Sequence, residues 1–298
     1  MFIIRFHGGL GNQIFEYCFY RYMQEYVSDD LKADLTWFDR NYKEHQGYEL
    51  ERVFGIKLPS ASYKEIAKVH EYYPKYYPLA AMRYLARKNA ARKNKKRATS
   101  DAHIFDFGPT QYEFNPIYES LDKKKDWYIE GVFCSDVYFS RCEEMLRKEL
   151  TFCQSLNEQN LSLKSEMEQC QSVAIHVRRG DYVGNNFDIV GTDYYKRAAE
   201  YIRNNVADPV FYIFSDDMEY VEKEFTFLDH YIPVHNSGKT SYVDMQLIGC
   251  CRHGIIANSS FSYWGALLGE ENGSIIIAPS KYMADVDIAL ARKHWVLM

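Results

Sequence analysis

Short apolar runs alternate along this chain with longer stretches in which apolar side chains recur every third or fourth position. Phe2 to Phe6 is the first run and predicts a buried strand. Ile14, Phe15, Cys18, Phe19, Tyr22 and Met23 then mark one face of a helix. Asp39 to Ser60 is polar and aromatic without a period and predicts irregular structure, and helical character returns from Tyr63 to Arg97. Trp127 to Phe133 predicts another strand, followed by a helix around Ser140 to Leu150. The polar stretch from Thr151 to Gln171, rich in Gln, Asn, Ser and Glu, is the clearest composition shift and divides the chain into domains at 1–155 and 156–298.

The second half repeats the alternation. Ser172 to Ile175 is a buried strand, and a helix capped by Thr192 turns Tyr195, Ala198, Ala199, Ile202 and Val206 inward. Strands follow at Val210 to Phe214 and Tyr231 to Val234, then a helix opening with the Ser241-x-x-Asp244 capping pattern. The strand at His253 to Ala257 leads through Asn258-Ser259-Ser260, an N-cap sequence, into a helix carrying Phe261, Trp264 and Leu267. Ile275 to Ala278 closes the sheet, with the remainder packing back across the molecule. Strands alternating with helices in both halves predict an α/β protein built on parallel sheets.

Three polar clusters of the second half fall where strands end: His176 to Asp181, Ser215 to Asp217 and Asn258 to Ser260. In a parallel sheet those ends share one edge, which is where open α/β sheets bind ligands. His176-Val177-Arg178-Arg179-Gly180-Asp181-Tyr182 places two permanently charged, planar guanidiniums beside a glycine turn, a pattern suited to a diphosphate. An Arg-Asp pair that only staples the turn is the alternative. Ser259 and Ser260 offer hydroxyls and free helix amides to a phosphate, and the Asp216-Asp217 pair can accept hydrogen bonds from a base or ribose. Near the N-terminus, His7-Gly8-Gly9-Leu10-Gly11-Asn12-Gln13 lets a ligand approach the backbone closely or simply makes a tight turn, and it is neither G-x-G-x-x-G nor a Walker loop.

Composition narrows these readings. A formal net charge of -5 over 298 residues argues against nucleic acid as the main partner. The odd set of cysteines, Cys18, Cys134, Cys142, Cys153, Cys170, Cys250 and Cys251, has no ligand or framework spacing and fits a reducing compartment. With no membrane-spanning run and no signal-like leader after Met1, a soluble cytoplasmic protein is expected. The basic series Arg83, Arg87, Lys88, Arg92, Lys93, Lys95, Lys96 and Arg97 either docks reversibly on the inner face of an anionic membrane or is a solvated helix running into a loop.

Four of these stretches, in order, carry a family resemblance: Gly8 to Gln13, His176 to Tyr182, Phe214 to Asp217, and Ala257 to Ala266. The chain resembles the family 11 glycosyltransferases, the bacterial α-1,2-fucosyltransferases. The resemblance implies a GT-B fold, two Rossmann-like domains with parallel sheets facing a central cleft, and inverting transfer from GDP-L-fucose to a galactose-terminated or lipid-linked glycan, with no metal and no other cofactor. It also implies site roles: Arg178 on the β-phosphate, His176 and Asp217 on guanine, Ser259 and Ser260 on the phosphates, Asn12 on the glycine-loop side, and His7, Gly9 and Glu16 on the acceptor side. Asp181 is the candidate general base, with His7 and Glu16 as rivals. Where the family tends to read Phe-Gln-Tyr-Ala, this chain has Phe15-Glu16-Tyr17-Cys18, which bears on acceptor detail.

Overall fold

The computed structural model describes residues 1–39, 45–70, 102–107 and 109–298. The basic series from Arg83 to Arg97 lies outside the described residues. The chain divides into two compact units, Met1–Glu149 and Leu150–Met298.

The N-terminal unit runs β1 (Phe2–Arg5), α1 (Leu10–Tyr26), β2 (Leu31–Asp34), α2 (Leu50–Phe54), α3 (Tyr63–Val69), β3 (His103–Asp106), β4 (Trp127–Gly131), α4 (Asp136–Ser140) and α5 (Glu143–Glu149). Its four strands form one sheet in the order β2-β1-β4-β3, every pair parallel. The apolar face expected of α1 is buried, and so are Glu16 and Gln13 on the same helix. Phe19 stacks on Phe133 with ring centroids 3.7 Å apart and planes 8° from parallel, which anchors α1 to the segment after β4. The expected irregular stretch contains α2, a short helix that Gly55 ends in the left-handed conformation (φ 72°). The expected helix around Ser140 to Leu150 is two helices, broken at Arg141-Cys142. Strands β2 and β3, four residues each, are too short to show a period.

The C-terminal unit runs α6 (Glu158–Glu168), β5 (Gln171–Val177), α7 (Thr192–Asn205), β6 (Pro209–Ser215), α8 (Met218–Glu224), β7 (Ile232–Val234), α9 (Tyr242–Ile248), β8 (His253–Ile255), α10 (Ser260–Gly269), β9 (Ile276–Ala278) and β10 (Val296–Leu297). Its six strands lie in the order β10-β9-β8-β5-β6-β7, again all parallel. Ile275 to Ala278 does not close the sheet: the chain returns and adds β10 beside β9, a two-residue edge strand with no sequence signal. Two expected caps differ as well. Gly191, not Thr192, precedes α7, and the Thr192 hydroxyl lies 3.0 Å from that of Tyr220. Ser241 makes no side-chain cap: the Asp244 N–H that its hydroxyl would take donates to the Ser241 carbonyl at 3.1 Å, and the Asp244 carboxylate accepts the Asn236 backbone N–H at 3.0 Å.

Tyr194, Tyr195, Ala198, Ala199 and Ile202 of α7 pack on Val173, Ile175, Phe211 and Ile213, so one face of the sheet is closed by that helix. The loops that leave the strand ends carry the polar clusters. Among the described residues no helix is long and apolar enough to cross a membrane.

Candidate anion-binding site

In the C-terminal unit β5 lies between β8 and β6, so the three polar clusters leave adjacent strands on one edge. Full register along β5 and β6, from Gln171 opposite Pro209 to Val177 opposite Ser215, ends both strands together and sets Arg178 beside Asp216. Chain connections diverge on either side of β5, and such switch points open a crevice between loops.

Arg178 donates from Nη2 to Asp181 Oδ1 at 2.6 Å and forms an ion pair through Nη1 with Asp216 Oδ2 at 2.8 Å, while its guanidinium lies 5.6 Å from the Tyr182 ring centre. Arg179 turns the other way. It reaches Asp188 Oδ1 at 3.2 Å and lies 4.2 Å over the Tyr220 ring, and its backbone N–H donates to Asp216 Oδ1 at 2.8 Å. Asp216 therefore spends one oxygen on the turn and the other on Arg178. A Cβ at Gly180 would sit 2.6 Å from Asp216 Oδ2, so only glycine lets that carboxylate reach the arginine.

Asp217 has a local duty: it is the N-cap of α8, and its Oδ1 accepts the Tyr220 N–H at 3.0 Å. Ser259 caps α10 in the same way, taking the Phe261 N–H at 3.3 Å, and is itself buried. Ser260 begins that helix and is half-buried. Asn258 is structural too, since its amide donates to the carbonyls of Phe187 at 3.0 Å and Tyr282 at 2.8 Å, which ties the β5 loop to the C-terminal segment. Tyr182 closes the cluster by donating its hydroxyl to the Asn258 carbonyl at 3.3 Å.

His176, the penultimate residue of β5, is buried with its ring 5.7 Å from that of Phe261, and its Nδ1 has no hydrogen-bond partner among the described residues. Burial and the neighbouring Arg178 push its pKa down to about 3, so the imidazole is neutral at pH 7 and can both donate and accept. The edge thus offers one half-exposed guanidinium, a neutral imidazole and the amino end of α10. The fork of Arg178 is occupied by two carboxylates, one of them, Asp181, mostly exposed and exchangeable for an anionic ligand.

In the N-terminal unit Gly8 adopts φ 73°, and a Cβ there would lie 2.8 Å from the Asn12 amide nitrogen. Gly9 is the N-cap of α1, and Gln13 binds the loop by donating to the carbonyls of Gly8 at 3.0 Å and Gly47 at 2.9 Å. Glu16 is not a surface group, as its acceptor-side assignment requires. It is fully buried, accepts the His7 backbone N–H at 3.0 Å and lies 2.5 Å from His7 Nδ1. Burial pushes its pKa up to about 7 against the opposing pull of His7. The His7 ring in turn meets the edges of Trp37 and Phe107 at 6.2 and 5.4 Å.

Sequence patterns did not single out Asp188, Tyr220 or Phe261 as site residues. Asp188 and Tyr220 hold Arg179 away from Arg178, and nothing in their spacing announces it. Tyr182 stood inside the arginine motif, but its bond to Asn258 depends on β5 and β8 being neighbours.

The family model described as glycosyl transferase family 11 matches residues 1–298. An α-1,2-colitosyltransferase of Escherichia coli is 29% identical over 289 residues, covering 94% of this chain and 91% of that protein. The O-antigen biosynthesis glycosyltransferase WbnK of Escherichia coli is 34% identical over 134 residues, 43% of this chain and 44% of its own length. Human galactoside α-(1,2)-fucosyltransferase 1 is 27% identical over 154 residues, 47% of this chain and 42% of its length.

Proposed function

From a chain that belongs to glycosyl transferase family 11, we propose that it moves L-fucose from GDP-β-L-fucose to the 2-hydroxyl of a terminal β-galactose in a glycan, inverting the anomeric carbon to give an α-1,2 linkage. The observation that carries this is the half-exposed Arg178 at the shared edge of β8, β5 and β6, beside the buried neutral His176 and the amino end of α10. The similarity to a human galactoside α-(1,2)-fucosyltransferase supports the choice of sugar and linkage.

The chemistry asks little more of the protein. As the bond to the diphosphate breaks, negative charge grows on the leaving oxygens, and a fixed guanidinium and helix amides stabilise that charge more than they stabilise the ground state. Arg178 binds the β-phosphate in exchange for Asp181, His176 holds the guanine edge with Asp217 beside it, and Ser260 meets the phosphates from α10. No divalent cation is needed to neutralise the leaving group: Asp216 already gives both oxygens to the arginine turn and Asp217 gives one to a cap. Asn12 belongs to the donor side at the glycine loop, Gly9 and His7 belong to the acceptor side, and the basic series Arg83 to Arg97 brings the enzyme to a lipid-linked acceptor at a membrane face.

Colitose transfer is a second reading, favoured by the 29% identity to an α-1,2-colitosyltransferase across nearly the whole chain. Incubating the purified protein in excess EDTA with GDP-fucose or the corresponding colitose donor, across a panel of β-galactosides and other glycosides, decides between them. Fucosylated product with an α-1,2 linkage by NMR is expected. Preference for the colitose donor, or transfer that requires added Mn²⁺, overturns the proposal as stated, and GDP release unaffected by any acceptor would leave a binding module without transfer.

A further inference from the structure

One buried cluster of the N-terminal unit has no part in the activity proposed above. His70, which follows α3, His103, which opens β3, and Glu130 near the end of β4 bring two imidazoles and a carboxylate together, with their donor atoms within 4.8 Å of one another. The sheet explains how. Phe105 lies opposite Glu130 and His103 opposite Tyr128, so in a parallel pair His103 and Glu130 project from the same face, the one that α3 covers with Ile66 and Val69.

We propose that His70, His103 and Glu130 form a structural site for a divalent transition-metal ion, zinc by donor chemistry, which ties the end of α3 to the sheet. His70 Nε2 lies 3.5 Å from Glu130 Oε1, and His103 Nε2 lies 3.9 Å from Oε2. Ligands held tetrahedrally at about 2.0 to 2.1 Å from zinc stand roughly 3.3 Å apart, so small rotations of the side chains bring the set to bonding geometry. Two imidazole nitrogens and one carboxylate oxygen suit zinc better than calcium or magnesium, which take oxygen ligands almost exclusively.

A second observation points to a ligand. His103 is 6% exposed, and its Nε2, aimed into the cluster, has no hydrogen-bond partner among the described residues. Burying an imidazole nitrogen unsatisfied costs about 1 to 3 kcal/mol, and a metal bond would remove that cost. Arg5 Nη1 donates to Glu130 Oε1 at 2.8 Å, which orients the carboxylate from outside and leaves Oε2 toward His103. Charge also permits a cation. Among the described residues, Arg5 interacts with the two carboxylates of Glu130 and Asp34, so one cation stands against two acidic groups beside the cluster. Tyr128, whose hydroxyl donates to Asp34 Oδ2 at 2.6 Å, packs its ring against both imidazoles at 4.7 and 5.3 Å and walls the site from one side.

The test uses the full chain without a histidine tag, stripped with a chelator and titrated with Co²⁺ and then Zn²⁺. One equivalent of Co²⁺ should give visible ligand-field bands of a four- or five-coordinate centre, displaced by Zn²⁺, and Zn²⁺ should raise the melting temperature of the stripped protein. His103→Gln and His70→Gln should each weaken Zn²⁺ binding by about 100-fold or more while the far-ultraviolet circular dichroism is unchanged. If one variant fails to fold, the other decides. A water molecule on His103 Nε2 predicts the opposite results: no Co²⁺ band, no stoichiometric Zn²⁺, and no change in affinity in either variant, any of which overturns the site. Turnover plays no part in the readout, so failure here is distinct from failure of the glycosyltransfer proposal.

Discussion

Replacing Arg178 by alanine separates binding chemistry from structure at the candidate site. The side chain is about one-third exposed and is held by Asp181 at 2.6 Å and Asp216 at 2.8 Å. Partly solvated pairs of this kind are worth about 0 to 1 kcal/mol each, so Arg178→Ala should cost less than about 2 kcal/mol of stability, a few degrees in melting temperature. Loss of a donor aimed at charge that develops during reaction costs roughly 10²-fold to 10³-fold in rate. Turnover should therefore fall far more than stability. Arg178→Lys should recover little, because a single ammonium cannot span Asp216 and a phosphate as the guanidinium fork does. Arg179→Ala makes the contrast: it loses Asp188 and the Tyr220 face, about 1 to 2 kcal/mol, and should lower stability with a smaller effect on rate. Asp181→Asn, which frees the exposed side of the fork, should tighten GDP by up to about fivefold, the Boltzmann equivalent of an exposed ion pair. The assay is initial rate with GDP-fucose, GDP affinity by calorimetry and thermal unfolding on all four variants. Near-normal turnover in Arg178→Ala, or an equal loss in Arg179→Ala, would refute the assignment of Arg178 as the diphosphate ligand.

Three further outcomes follow from the same geometry. Gly180→Ala places a methyl 2.6 Å from Asp216 Oδ2 and should cost roughly tenfold in turnover by displacing the carboxylate that orients Arg178; unchanged kinetics would show that the pair is dispensable. His176 has a folded pKa of about 3, below its unfolded value of 6.5, so the unfolded chain takes up the proton first and stability declines as pH falls from 6.5 toward 3, by at most about 5 kcal/mol; denaturant titrations should show a shallower decline in His176→Gln. Glu16 runs the other way, with a folded pKa of about 7 above 4.5, so its contribution is present below pH 4.5 and is lost as pH rises through 7, by about 3 kcal/mol; Glu16→Gln should remove that dependence between pH 5 and 8, and an unchanged slope would place the titration elsewhere.

The sequence by itself determined the class of the fold and the address of the site. Apolar runs such as Phe2 to Ile4 and Phe211 to Phe214 read as strands and are buried, because a parallel sheet packed under its crossover helices leaves these side chains no route to water. The arginine motif, Ser215 to Asp217 and Asn258 to Ser260 fell at strand ends for the same local reason. Tertiary structure decided which side chains do what. Adjacency alone does not tell Arg178 from Arg179; the family resemblance picks Arg178, and the structure parts the two because β5 lies beside β6, which brings Asp216 to one, while Asp188 and Tyr220 hold the other. Asp217 and Ser259, ligand candidates in sequence, each also give an oxygen to a helix cap, because an amide at the start of a helix left without a partner competes for the nearest oxygen. Glu16 lies on the helix face turned to the core, and burial made it the support of His7. His70, His103 and Glu130 are far apart in the chain and meet only across paired strands, a proximity that no local spacing encodes.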